Sequence, residues 1–134
     1  MSVGPGKVLE VGYERFAAVR PREGGSTTAL AAALPPGEVW LGGQQLLLIP
    51  ERLLEQVARD GELLVRGLCR LSALGPWDNP HFPASATAAL AEVEVPFFLV
   101  CDPRGWHFFL PEEKKGRALA ALRQARLDRF LAPT

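Results

Sequence analysis

The sequence predicts an α+β fold. A mainly antiparallel sheet with two or more β-hairpins packs against three to four helices, the last of them at the C-terminus. Three observations carry this. Two pairs of short apolar runs flank turn-forming residues, at 39–49 and 95–110. Helical stretches follow the hairpins rather than alternating evenly with single strands. The chain has 134 residues, which fits one domain over 1–134 that buries about two-thirds of its unfolded surface.

The elements follow in order. Leu9, Val11 and Tyr13 alternate along a first strand, which can continue through Phe16 to Val19. Arg20 to Gly25 reads as a loop, and Ser26 as the N-cap of a short helix to Leu34 that Pro35-Pro36-Gly37 stops. Val39–Leu41 and Gln45–Ile49 form a hairpin around Gly42-Gly43-Gln44. Pro50 suits the first position of a second helix, with Leu53, Leu54, Val57 and Ala58 as its apolar stripe and Gly61 beyond its end. Residues 62–74 carry both a strand and a helix pattern; the turn-like Asp60-Gly61 favours strand. A loop with three prolines follows, then an Ala-rich helix from Ser85 or Thr87 to Glu92.

The second hairpin is the most legible part. Val95–Cys101 and Trp106–Leu110 flank Asp102-Pro103-Arg104-Gly105, which fits a type I turn with Gly105 at positive φ. With Asp102 opposite Trp106, Cys101 faces His107. Both faces are apolar, so the hairpin is expected to be covered on both sides and central in the sheet. Pro111 ends it, and Glu112-Glu113 opens a helix to about Leu131, with acids first and arginines last as the helix dipole favours. No internal repeat is evident in the sequence.

Lys+Arg and Asp+Glu number 15 each, so no global field draws the chain to nucleic acid or membrane. From Arg104 onward, seven basic residues face three acidic ones. No apolar run approaches a membrane span, and the N-terminus lacks a secretory signal pattern. Cys69 and Cys101 form no CxxC, so reduced thiols in the cytoplasm are expected. The bias towards Leu, Ala, Arg, Gly and Pro resembles GC-rich, thermophilic bacterial proteins.

Four groups are candidate sites. Arg20, Arg22, Gly24, Gly25, Ser26 and Thr27 could bind an anion through free amides and arginines, but the P-loop lysine is missing and an ordinary capped loop outweighs it. Cys101 opposite His107 has the parts of a reactive thiolate pair. No orienting acid or oxyanion loop accompanies it, and a buried structural cysteine is the stronger reading. Trp77, Asp78, His81 and Phe82 sit in the proline-rich loop as a candidate interaction surface; aromatics turned inward to cover the core are the slightly stronger reading. Arg104, Lys114, Lys115 and Arg117 could track a phosphate backbone, yet helical spacing scatters the basic residues.

No catalytic motif stands out, and two histidines in all make a poor metal set. The expected function is a non-enzymatic cytoplasmic binding or protein-interaction module without cofactor or metal. It is expected to self-associate as a homodimer through the Trp77–Phe82 loop. One alternative is nucleic-acid binding or processing through the basic C-terminal helix, which is less favoured. Another is a small enzyme or binder of an anionic or phosphorylated ligand at Gly24-Gly25-Ser26.

Overall fold

In the computed structural model, one 14-residue strand, Gly61–Leu74, is shared by two compact units, Tyr13–Leu68 and Met1–Gly12 with Cys69–Thr134. The structure describes residues 7–10, 14–42, 45–74, 81–103 and 105–125. Its strands are β1 (Lys7–Glu10), β2 (Phe16–Pro21), β3 (Trp40–Gly42), β4 (Leu46–Pro50), β5 (Gly61–Leu74), β6 (Phe98–Asp102) and β7 (Gly105–Pro111). Its helices are α1 (Thr27–Ala32), α2 (Leu54–Val57), α3 (His81–Glu92) and α4 (Lys115–Gln124). The fold is α+β, as the sequence predicts.

The unit 13–68 runs β2-α1-β3-β4-α2-β5, and its strands lie in the order β3-β4-β2-β5. Every pair is antiparallel. Each helix therefore joins two parallel strands across a third, the split βαβ arrangement. Alternation along the strands divides the core. Val19, Leu47 and Ile49 pack with Leu30 and Leu34 of the α1 segment and with Leu53 and Val57 of the α2 segment. Phe16, Ala18 and Leu48 point to the other face and are also buried. There the Phe16 and Trp40 rings meet edge to face at 5.8 Å, the arrangement that ring quadrupoles favour. Pro50 ends β4, and a 3-10 turn at Glu51–Leu53 precedes α2, so the proline lies one element earlier than expected.

In the other unit, β7 lies between β5 and β6, and β1 pairs antiparallel with residues 71–74 of β5. The path β5-α3-β6-β7-α4 repeats the path β2-α1-β3-β4-α2. The place that β5 holds beside β2 is taken here by β1, from the start of the chain. The repetition lies in topology, which is why no sequence period announces it. Phe82, Ala86 and Leu90 of α3, spaced at i, i+4 and i+8, and Ala118 and Leu122 of α4 cover Leu71, Ala73, Phe108 and Leu110. Helix α3 begins at His81, earlier than expected; α4 follows a 3-10 turn at Glu112–Lys114, and its expected end at Leu131 lies outside the described residues.

The second hairpin forms with a different register. Asp102 pairs with Gly105, Cys101 with Trp106 and Val100 with His107. The connection is thus one residue shorter than the sequence suggests. Gly105 does hold positive φ, at +150°. Only β7 is internal, since β6 is an edge strand.

Gly61 opens β5 where the backbone passes close to its neighbours. A Cβ there would stand 2.8 Å from Val19 Cγ1 and 2.9 Å from the Val57 carbonyl oxygen. Gly61→Ala is expected to cost about 1–3 kcal/mol through overpacking, read as a lower denaturation midpoint at unchanged m-value.

Candidate functional site

Residues 22–26 join β2 to α1 and form one wall of an open cleft of about 360 Å³. Gly25 donates its N–H to the Arg22 carbonyl at 2.8 Å, which closes the turn. A Cβ on Gly25 would meet that carbonyl oxygen at 3.1 Å, and Gly24 sits at φ +85°. Both positions therefore favour glycine. Ser26 Oγ accepts from the Ala29 N–H at 3.0 Å, a side-chain N-cap. The floor is Ala29, Leu30 and Ala33, and Gln56 and Asp60 form the far side.

The cleft carries charge of both signs, from Arg22, Glu23 and Asp60. Arg22 donates from Nε to the Arg59 carbonyl at 3.1 Å and from Nη2 to the Ala58 carbonyl at 3.4 Å. These bonds tie the loop to the residues after α2, and other guanidinium N–H groups remain for a ligand. Arg20 does not line this cleft; it lines a neighbouring depression with Arg22, Glu23 and Glu62, and pairs with Glu62 at 2.5 Å. Thr27 is the first residue of α1. Of the residues proposed from sequence for an anion, Arg22, Gly24, Gly25 and Ser26 meet at the cleft. Glu23, Gln56 and Asp60 were missed, and only Glu23 is close enough in sequence to have been suggested by the loop itself.

The other candidates are dispersed. Trp77 and Asp78 lie outside the described residues, as does the His81 side chain. Phe82 is buried and stacks on Phe108 at 6.0 Å, so it serves the core rather than a surface. Arg104 is also outside the described residues. Lys115 reaches Glu112 at 3.7 Å, and Arg117 donates to the Val93 carbonyl at 3.5 Å. Lys114 is half-buried.

The corrected hairpin register separates the two members of the reactive pair, because Cys101 and His107 now point to opposite faces. Cys101 is exposed, not buried as expected. His107 is 1% exposed and takes different partners. Its Nδ1 lies 2.8 Å from Ser72 Oγ, and its Nε2 lies 2.9 Å from Asp102 Oδ1. Serine, histidine and aspartate are the parts of a nucleophilic triad, but the ring is reversed relative to that chemistry, in which Nε2 serves the serine. Ser72 is only 2% exposed. The trio is a buried polar brace joining β5, β6 and β7. Burial, with help from the Glu112 charge, pushes the Cys69 thiol up to about 11. Burial and then Asp102 also raise the Cys101 thiol. Neither is a ready nucleophile at neutral pH. Among the described residues, no group of three or more His, Cys, Asp or Glu could hold a metal ion, and no helix is long and apolar enough to cross a membrane.

No family model and no curated protein matches the chain. Solved structures do. The regulatory subunit of aspartate kinase from Thermus flavus shares the fold. It superposes with a TM-score of 0.66 at 18% identity, over 93% of this chain and 99% of that one. The ligand-free Thermus thermophilus subunit gives 0.64 at 18% identity, over 92% and 99%. A Vibrio cholerae protein of unknown function, described as a possible transport protein, gives 0.62 at 16% identity, over 89% and 88%. The likeness is one of fold, and it covers most of each chain.

Two outcomes test the buried chemistry. Ser72→Ala leaves His107 Nδ1 buried without its partner and should cost about 1–3 kcal/mol, whereas removing both polar groups with Ser72→Ala and His107→Leu should recover part of that loss in a double-mutant cycle. A cost no greater than that of an exposed substitution would remove the brace from the account. In the native protein a bulky thiol reagent should reach Cys101 but not Cys69. Because the folded Cys69 thiol titrates above its unfolded value, ionisation favours the unfolded state. Its contribution to stability is full below the ordinary thiol range and is lost as pH rises from there to about 11. Cys69→Ala should flatten that part of a stability–pH curve.

Proposed function

We propose that residues 1–134 form a small-ligand-binding regulatory module, with the ligand seated in the cleft between residues 22–26, α1 and the end of α2. The observation that carries this is the lining. An apolar floor of Ala29, Leu30 and Ala33 is rimmed by one cation, two acids and an amide. A compact zwitterion such as a free amino acid matches it. Its carboxylate meets Arg22, its ammonium meets Glu23 or Asp60, and its side chain lies on the alanines. A bare phosphate would meet two carboxylates at the same rim and be repelled. The fold shared with regulatory subunits of aspartate kinase supports the same reading.

Thermal shift and titration calorimetry with the free amino acids, inorganic phosphate and nucleotides test it. At a ligand concentration 100 times the Kd, one amino acid should stabilise the protein by about 2.7 kcal/mol, a rise of roughly 10 °C for a chain of this size. Glu23→Gln with Asp60→Asn should abolish the shift while the protein stays folded. A response to phosphate alone would replace the zwitterion with an anion, and no response to any of the three classes would remove the cleft as the site.

A further inference from the structure

We propose that the ligand of the cleft is a dipeptide with an apolar C-terminal residue, whose second side chain lies in a groove that joins the cleft at Arg22; this rests on the zwitterion reading above.

Two features of this region have no role in holding a free amino acid. One is the Gln56 amide on the far side of the cleft. The other is a groove of about 200 Å³, lined by Arg22 and by the aliphatic groups of Val19, Leu54, Val57, Ala58 and Leu63. Cleft and groove both lie wholly within 13–68, and Arg22 is the residue they share.

The backbone fixes Arg22 at the junction. Its own N–H donates to the Asp60 carbonyl at 3.0 Å. Its Nε and Nη2 donate to the Arg59 and Ala58 carbonyls at 3.1 and 3.4 Å. Asp60 belongs to the cleft and Ala58 to the groove. The guanidinium is thereby held where the two hollows meet, with further N–H groups to offer a carboxylate.

A carboxylate on Arg22 decides what else the ligand can reach. In a free amino acid the ammonium and the side chain leave the same carbon. The side chain can lie on the alanine floor or in the groove but not on both, and Gln56 meets no neutral partner. In a dipeptide the C-terminal Cα sends its side chain into the groove and its peptide nitrogen into the cleft. The peptide group supplies one donor and one acceptor, which the Gln56 amide matches with its own acceptor and donors. The first residue then sets its ammonium against Glu23 or Asp60 and its side chain on Ala29 and Ala33. That floor suits a small first side chain. The groove is apolar apart from Arg22, so it suits an aliphatic or aromatic second one. The depression beside Arg20 does not compete for that side chain, because charged groups line it and its Arg20 and Glu62 already pair with each other.

Titration calorimetry with alanine, leucine, alanyl-leucine and leucyl-alanine tests the proposal, with circular dichroism to confirm that each variant is folded. The two dipeptides carry the same groups in opposite order. Alanyl-leucine should bind about tenfold or more tighter than either free amino acid or leucyl-alanine, the gain that burying one leucine side chain brings. Leu63→Gln changes an exposed residue of the groove. It should erase the difference between the two dipeptides and leave the affinity for alanine unchanged. Gln56→Leu should weaken both dipeptides but not alanine. If alanine or leucine binds as tightly as alanyl-leucine, or if alanyl-leucine keeps its advantage in Leu63→Gln, the dipeptide is overturned while the amino-acid cleft stands. If neither amino acids nor dipeptides bind, both readings fall.

Discussion

Everything in this fold turns on how one strand shares out its backbone hydrogen bonds. A strand has two edges, and every N–H and C=O along them needs a partner or water. β5 gives its first half to β2 and its second half to β1 and β7. It is the last strand of one βαββαβ path and the first of a βαββα path whose sixth place β1 fills. This dual role explains its length of 14 residues, well beyond the usual five or six. It also explains Gly67 at positive φ, near the changeover. The Glu51 carboxylate accepts the N–H that the turn would otherwise strand.

The two units reach the same topology with different interiors. In 13–68 the buried residues on the strand face away from the helices are apolar, among them Phe16, Ala18 and Leu48. In the other unit the corresponding kind of face holds Ser72 and His107 beside Phe109, with Asp102 at the rim. Polar groups are tolerated there because Ser72 and His107 Nδ1 share a hydrogen bond and the Asp102 carboxylate stands beside the other ring nitrogen; singly, each would carry a desolvation cost of a few kcal/mol. Three strands must align for the trio to meet, so it specifies their register as aliphatic packing alone would not. That register is the one in which Asp102 pairs with Gly105.

The elements that could be read from sequence were those whose periodicity was local. Ser26 as an N-cap, the strand through 62–74 and the hairpin around 103–104 all follow from side chains a few residues apart. The hairpin register did not, because Asp-Pro-Arg-Gly suits both a two-residue and a three-residue connection, and the choice rests on Ser72, 35 residues away from His107. Phe82 could be read as a surface aromatic, because prolines surround it, or as one turned inward; its helix, beginning at His81, turns it onto Phe108. The cleft was half legible. Gly24, Gly25 and Ser26 announce a tight loop before a helix, but Gln56 and Asp60 come from beyond α2 and reach the loop only through the crossover of the fold. The topological repeat was invisible for a similar reason. It conserves which faces are apolar and in what order strands neighbour, and neither leaves a residue period.

The cleft and the start of β5 meet on consecutive residues. Asp60 lines the cleft and its carbonyl accepts the Arg22 N–H at 3.0 Å; Gly61 then opens β5, and Glu62 pairs with Arg20 of β2. Glu62 is also held by Arg20, two residues before Arg22 on the same segment. A ligand that draws on Arg22 or Asp60 would therefore bear on the start of β5. Gly61 gives this junction little slack, because the Val57 carbonyl and the Val19 side chain leave no room for even a methyl group. A ligand held in the cleft would therefore act on a junction with little room to give, and its pull would pass to β5 rather than dissipate in the loop.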